Sequence, residues 1–287
     1  MANYLTTREV AELLRIKERK VYDLASSGAL PCSRAMGKLL FPEEGVHAWL
    51  AGNETGERPA APRPGVFLGS HDPLLDWALR ESGCGLATFF DGSSDGLRRF
   101  ALSEGIAAGL HIFEPDTGDW NLGAAAQLCA GSSAVLVRWA SRARGLVLQE
   151  GHAAAVSGLD DVSGLRLVAR QEDAGAQKLF SHLVAERQID IGAPAIIARS
   201  ESDAVLAVIE GKADVAFGLE ALASPHRLGF VPVIEERFDL LVDRSAWFDP
   251  PWQTFWDFCR SVAFRTRAGE LKGYDVSGLG TVLRNGF

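Results

Sequence analysis

The 287-residue sequence has no apolar run near the roughly 20 residues needed to cross a bilayer. Its first ten residues, MANYLTTREV, lack the basic stretch and continuous apolar core of a secretory signal. A cytoplasmic chain with no membrane partner is therefore expected. Cysteine is scarce: Cys32, Cys84, Cys129 and Cys259 share no C-x-x-C spacing, and they read as reduced, buried thiols without a disulfide framework or zinc site. No turn matches G-x-x-x-x-G-K-[ST] or G-x-G-x-x-G, which leaves nucleotide binding little support. There is no H-E-x-x-H, no paired-carboxylate motif and no nucleophile–base pair. Catalytic residues, metal ligands and cofactors are accordingly expected to be none, and the chain does not read as an enzyme.

What is present suggests two domains, because 287 residues exceed the usual size of a single core. The hydrophobic fraction of 47% and charged fraction of 23% are ordinary for a globular protein. The net charge of −8 argues against a protein that coats nucleic acid over its whole surface. The charge is unevenly spread, however. Residues 1–42 hold seven Lys/Arg against four Asp/Glu, while the remainder holds 22 against 33. Positive charge is concentrated where a DNA-contacting module would need it, and the acidic remainder would be repelled from phosphate.

Thr6-Thr7-Arg8-Glu9 precedes the periodic run Val10, Ala11, Leu13, Leu14; Thr6 or Thr7 can cap the first turn, with Glu9 placed as in a capping box. A turn near Arg15-Ile16-Lys17 leads to a second helix over about Glu18–Ser26, with Val21, Leu24 and Ala25 on its inner face and Gly28 after its end. Leu30–Pro42 suits a small hairpin with Met36-Gly37-Lys38 at its tip, and Pro42-Glu43-Glu44 opens a third helix through Val46, Ala48, Trp49 and Leu50. Arg15, Lys17, Arg19, Lys20 and Tyr22 lie in the turn and second helix, off its apolar stripe, as base-reading and phosphate-gripping residues should. Arg34 and Lys38 suit a wing contact. The motifs T-x-x-E-V-A-x-L-L, K-V-Y-x-L, G-x-L-P and F-x-x-x-x-V-x-x-W-L span residues 4–50 and resemble the excisionase-type, MerR-like helix-turn-helix domain. That resemblance implies double-stranded DNA as a partner.

Residues 51–65, AGNETGERPAAPRPG, read as a semi-extended linker between a 1–50 DNA-binding domain and a 66–287 ligand-binding domain. From Val66 onward, short apolar runs alternate with helical stretches, an α/β pattern. Val66–Gly69, Leu86–Phe90, Ala107–Phe113, Leu165–Ala169 and Ala213–Gly218 each end in a polar or glycine-rich turn. In an open α/β sheet such turns gather where ligands bind, and helix starts favour anions.

The runs G-S-H-D-P-L-L-D (69–76), G-S-S-D-G-L (92–97), G-L-H-I-F-x-P-D-T-G-D-W-N (109–121) and G-Y-D-V-S-G (273–278) resemble the type II periplasmic-binding-protein fold, in the branch related to molybdate-binding proteins. The resemblance implies two lobes joined by crossovers, which we assign to Gly145–Glu150 and Val231–Leu241, with residues 152–230 in the second lobe. By position, Ser70, His71, Ser93, Ser94 and His111 would reach the ligand from the first lobe. Arg170, Gln171, Gly175 and Gln177 would do so from the second, with Glu201 and Ser202 at another helix start, and Trp139 with Arg142 would line the cleft mouth. Trp247, Trp252 and Trp256 read as packing between C-terminal helices. Glu172 and Asp173 place negative charge where an anion's cradle should lie.

The expected fold is thus α/β, a winged helix-turn-helix followed by a two-lobed domain. The expected function is a one-component transcriptional regulator, a homodimer or higher homo-oligomer, sensing a molybdate- or tungstate-type oxyanion or a small organic acid. Two other readings stay open: a molybdenum-cofactor-pathway binding protein or enzyme with an accessory N-terminal module, and an architectural DNA-binding protein whose ligand domain no longer binds.

Overall fold

The computed structural model describes residues 3–35, 37–53, 62–149, 152 and 155–287. Residues 54–61 of the linker, Met36 at the hairpin tip and Glu150 at the end of the first crossover lie outside the described residues. Contacts divide the chain into two units, Met1–Pro62 and Arg63–Phe287.

In the first unit, β1 (Tyr4–Thr6) runs into α1 (Thr7–Leu14). Thr6 and Glu9 close a capping box: the Glu9 amide donates to Thr6 Oγ1 at 3.3 Å, and the Thr6 amide donates to Glu9 Oε2 at 2.7 Å. Arg15 ends the helix in the left-handed region at φ 52°, and α2 (Glu18–Ser26) starts after Lys17. The hairpin strands β2 (Ser33–Ala35) and β3 (Lys38–Pro42) precede α3 (Glu43–Gly52). Val10, Ala11, Val21, Leu30, Phe41 and Val46 form one small core. The structure adds β1, which pairs with β3 to complete a three-stranded sheet. Three residues show no alternation, and this strand exists through its partner.

In the second unit, β4 (Val66–Gly69), β5 (Ala87–Phe90) and β6 (Ala107–Leu110) are parallel, with β4 in the middle; α4 (Pro73–Glu81) and α5 (Ser93–Ala101) connect them. A ribbon of β7 (Phe113–Glu114) and β8 (Asp119–Trp120) leads to α6 (Leu122–Leu128) and then to β9 (Val135–Leu148). Next come β10 (Leu167–Arg170), α7 (Gly175–Glu186), β11 (Ile196–Ala198), α8 (Glu201–Ile209), β12 (Val215–Leu219) and α9 (Glu220–Ala223). The chain returns along β13 (Gly229–Val242) to α10 (Pro250–Cys259), α11 (Val262–Glu270), β14 (Tyr274–Asp275) and β15 (Val282–Asn285).

One sheet in the order β11-β10-β12-β9-β13-β6-β4-β5 runs through both lobes. Antiparallel β9 and β13 pair along their whole length. β12 takes the Arg144–Leu148 end of β9, while β14 and β15 take its Val135–Arg142 end. The crossovers assigned to Gly145–Glu150 and Val231–Leu241 therefore lie in or next to two 14-residue strands that begin at Val135 and Gly229. Pairing answers the backbone donors and acceptors that a bare crossover would leave open.

Each lobe carries a core on both faces of the sheet. In the first lobe, Trp252, Phe255 and Trp256 of α10 pack with Phe67 and Trp139 on one side, while Phe100 and Leu97 of α5 pack with Leu68 on the other.

A register irregularity in β9 decides which of its side chains face the same way. Arg138 pairs with Asp239 and Ala140 with Phe238, so Trp139 is an extra residue opposite none. A β-bulge of this kind shifts the side-chain alternation by one. Val137, Trp139, Ala140, Arg142 and Arg144 consequently share one face of the sheet, which strict alternation would not allow.

Candidate functional site

Between the lobes lies a cavity of about 110 Å³. The strand ends set its floor. Gly69 approaches Gly96 and Gly109 so closely that a Cβ on Gly96 would stand 2.1 Å from Gly69 Cα. That approach brings Ser70 and His71 beside the first turn of α5 and beside His111. From the second lobe, the starts of α7 and α8 deliver Ala174, Gly175, Ser200 and Glu201, and β10 delivers Arg170. Gly175 sits against His111: a Cβ there would be 3.0 Å from His111 Cε1, so the two lobes meet at this point. Arg144 of β9 also lines it, with Phe90, Asp91, Gly92, Gln171, Asp173, Ala176 and Arg199 completing the lining.

Beneath the cavity a chain of buried charges links both lobes. Asp72 caps α4 through the Leu75 amide at 2.7 Å and also accepts from Trp139 Nε1 at 3.2 Å, Arg142 Nη1 at 2.8 Å and Tyr274 OH at 2.5 Å. Arg142 and Arg144 both pair with Glu236 of β13. Arg144 Nη2 reaches Glu201 Oε1 at 3.0 Å, and Arg170 Nη1 reaches the same oxygen at 3.4 Å. The side chains of Arg142 and Arg144 are 1% exposed, and that of Glu236 is fully buried. Among the described residues, Arg144 Nη1, Glu201 Oε2 and His111 Nδ1 are buried without a hydrogen-bond partner.

Burial lowers the pKa of the His111 imidazole well below its ordinary value, and Arg142, Arg144 and Arg170 push it the same way. The ring is therefore neutral, and its Nδ1, 3.4 Å from Glu236 Oε1, makes no ion pair. Burial alone would raise the Glu201 carboxyl, but Arg144 and Arg170 outweigh it and hold the group below the usual carboxylate range. Burial also draws Arg144 below its usual value, though a guanidinium keeps its charge.

Six of the residues expected from the sequence line the cavity: Ser70, His71, His111, Arg170, Gln171 and Gly175. Ser93 lies under it, its Oγ 2.9 Å from Ser70 Oγ while accepting from the His111 amide at 2.9 Å. Ser94 lies in a neighbouring cleft, with Lys178 Nζ 3.4 Å from its hydroxyl. Gln177 accepts from the Arg170 amide at 2.7 Å and lines a separate groove with Glu172. Ser202 lies on another face of α8, with Val205, Leu206 and Ile209; the turn of the helix points it away from the direction shared by Ser200 and Glu201. Trp139 requires correction. It is fully buried, 5.8 Å from Phe255 and stacked on it, because the bulge turns it into the first-lobe core and away from the cleft mouth. Arg142 is likewise buried, spent on Asp72 and Glu236.

In the first unit, Val21 is buried and Leu24 and Ala25 are partly buried, leaving Arg19, Lys20 and Tyr22 exposed on α2. Lys17 is the residue before the helix and Arg15 the one that ends α1; both are exposed. Arg34 and Lys38 are exposed on β2 and β3. Helix, tight turn, helix and hairpin thus present cations on one short stretch of chain.

The family model for the PBP superfamily domain matches residues 77–260. The chain belongs to the PBP superfamily. A helix-turn-helix domain model matches residues 4–54 ahead of it. A relative from Bacillus subtilis (strain 168), the uncharacterized protein YvgK, is 22% identical over 300 residues and is covered to 97%, as is this chain. Two solved structures share the fold of the PBP superfamily domain. One is a proposed phosphate ABC transporter substrate-binding protein with bound phosphate from Clostridium perfringens, at TM-score 0.52 and 12% identity, covering 72% of this chain and 97% of its own. The other is the sulfate-binding protein SubI from Mycobacterium tuberculosis H37Rv, at 0.50 and 13%, covering 74% and 86%.

Within the PBP superfamily domain, reading from sequence missed Arg144, Glu236 and Arg199. The Arg142-x-Arg144 spacing was a signal, since two cations inside an apolar strand require buried partners. Their partner Glu236 is 92 residues from Arg144, beyond any local pattern.

Proposed function

We propose that this chain is a one-component transcriptional regulator that binds double-stranded DNA through α2 and senses a small anion in the cleft of its PBP superfamily domain. The observation that carries the reading is Arg144: a buried guanidinium with an unanswered donor, among the residues that line the cavity between the lobes, on a chain whose first unit is a cationic helix-turn-helix. A cation held by the fold in a water-poor site favours an anionic guest more strongly than a surface cation would. A cavity of about 110 Å³ suits a tetrahedral oxyanion of the molybdate, tungstate, phosphate or sulfate type, or a very small organic acid.

Ligand acts in this reading by favouring the state in which Gly175 meets His111, and it can do so only by binding that state more tightly than the open one. The protein works in the cytoplasm as a homodimer or higher homo-oligomer, since two-fold operators need paired reading heads. It carries out no chemistry on its ligand. The test is gel retardation and footprinting of the full chain on duplex DNA from its own upstream region, with and without each anion. A ligand-dependent change in affinity or footprint is expected. Sequence-specific binding that no anion alters would reject the sensing role, and no DNA binding at low salt would reject the regulator.

A further inference from the structure

Among the described residues, five that are not glycine adopt a positive φ, and four of them, Arg15, Ser103, Gln188 and Arg227, are exposed. The fifth, Asn121, is fully buried between β8 and α6, with φ 66°. Glycine would take that backbone without a steric penalty, so the side chain has to contribute something glycine lacks. Its Oδ1 accepts from the Ile112 amide at 2.6 Å, while the Asn121 amide donates to the Ile112 carbonyl at 2.9 Å. Its Nδ2 donates to Asp239 Oδ2 at 2.8 Å. A flipped amide would leave the Ile112 N–H and the Asp239 carboxylate both unanswered, so one orientation is fixed. Ile112 directly follows His111, the ring against which Gly175 stands. Asp239 lies on β13, one of the two strands that join the lobes, three residues beyond the Glu236 that holds Arg142 and Arg144. One side-chain amide thus ties the cavity wall to the hinge.

Resting on the anion-sensing reading above, we propose that Asn121 is a positioning residue of the cleft: by tying Ile112 to β13, it sets the His111 wall where that wall meets Gly175 and the anion. A wall fixed before the ligand arrives costs no ordering when it binds, and that saving appears as affinity. The surroundings hold Asp239 to this task. Arg237 donates from Nε to Asp239 Oδ2 at 3.2 Å, and its other nitrogens reach the Trp120 carbonyl at 2.9 Å and Asp119 at 2.8 Å. Arg138 stands opposite Asp239 on β9, and Leu110 opposite it on β6. Burial raises the Asp239 carboxyl above its ordinary range, while the Asn121 bond and the Arg237 and Arg138 charges work against the rise. A second carboxyl in place of the Asn121 amide would face Asp239 Oδ2 directly. Two carboxyls so placed share a proton at low pH and repel once both ionise.

The experiment follows the full chain by amide hydrogen exchange without ligand, and by calorimetric titration with sulfate, phosphate, molybdate and tungstate. In the wild type the Ile112 amide should exchange as slowly as the paired amides of β4 and β6 before any anion is added. Fast exchange there would overturn the proposal. Asn121→Gly keeps the backbone and removes both side-chain bonds. It should speed exchange at Ile112 and weaken the tightest-binding anion, each by about tenfold. Asn121→Asp should bind sulfate, whose charge is constant from pH 5 to 8, about tenfold more weakly than wild type at pH 8 and regain most of that at pH 5. A folded Asn121→Gly protein with wild-type anion affinity, or an Asn121→Asp deficit equal at both pH values, would remove this inference while leaving the sensing role standing. So would variants that lose only melting temperature, the mark of a purely structural residue. Where circular dichroism shows that a variant does not fold, or where sulfate does not bind, the wild-type exchange and the remaining variant decide. Failure of every anion to bind the wild type would reject the sensing reading instead, and exchange at Ile112 would still decide whether Asn121 holds the wall.

Discussion

Glu236 accepts from two guanidiniums at once, and its side chain is fully buried. Changing it to Gln removes the charge and leaves Arg142 and Arg144 facing each other; breaking a buried pair in this way costs about 3–5 kcal/mol. Urea unfolding should show that loss, and a change under about 1 kcal/mol would mean the pairs are not formed as described. His111 gives a prediction about pH. Its folded pKa lies well below its unfolded value of about 6.5. Below that value the unfolded chain takes up a proton that the folded chain refuses. The stability from a neutral His111 is therefore complete above about pH 6.5 and is lost as pH falls towards the folded pKa, with a slope of up to about 1.4 kcal/mol per pH unit. Unfolding measured from pH 7.5 to 5 should show the decline, and His111→Gln should flatten it. The serines at the strand ends were legible because polar residues after short apolar runs fall at turns. That Ser93 would hold Ser70 and the His111 amide, leaving Ser70 to line the cavity, depends on the distance between two strands.

Helix α7 begins with a residue chosen for its lack of side chain. Gly175→Val would press a branched carbon into the His111 ring, already 3.0 Å from where a Cβ would stand, and would wedge the lobes apart. Overpacking of this kind costs about 1–3 kcal/mol. Because the contact forms only when the lobes meet, we expect the cost in ligand affinity, about tenfold, more than in melting temperature. Equal losses in both would place the contact in the fold rather than in closure. The capping box of α1 was fully readable from Thr6 and Glu9, since a cap is settled within four residues. The bounds of α2 likewise followed from Lys17, the Val21-Leu24-Ala25 stripe and Gly28. Of the Glu201-Ser202 pair read at the start of α8, Glu201 lines the cavity and Ser202 lies in a separate groove. Helix direction near an N-terminus changes by about 100° per residue, and only the packing of α8 on β12 fixes which residue meets the cleft.

Across the whole chain, charge is sorted by unit: cations over the first 42 residues and an acidic excess beyond them. If α2 is the reading helix, Arg19→Ala and Lys20→Ala together should weaken binding to every duplex tested. The slope of log affinity against log salt should shallow by about 0.9 for each phosphate that the variant no longer neutralises. An unchanged slope would move the interface elsewhere. The same double change should leave anion titrations untouched, because none of the cavity-lining residues belongs to the first unit.

Local chemistry written along the chain was enough to specify the order of helices and strands, the turns that end them, the segregation of charge and the α/β character of the long unit. Each depends on residues a few positions apart. Which face a side chain takes along β9 does not. One extra residue at Trp139, defined by pairing with Phe238 and Asp239 about a hundred positions later, sends the indole into the core and carries Arg142 and Arg144 onto the same face beyond it. The cleft's cation and its buried carboxylate partner exist as a pair only once the two hinge strands lie in register.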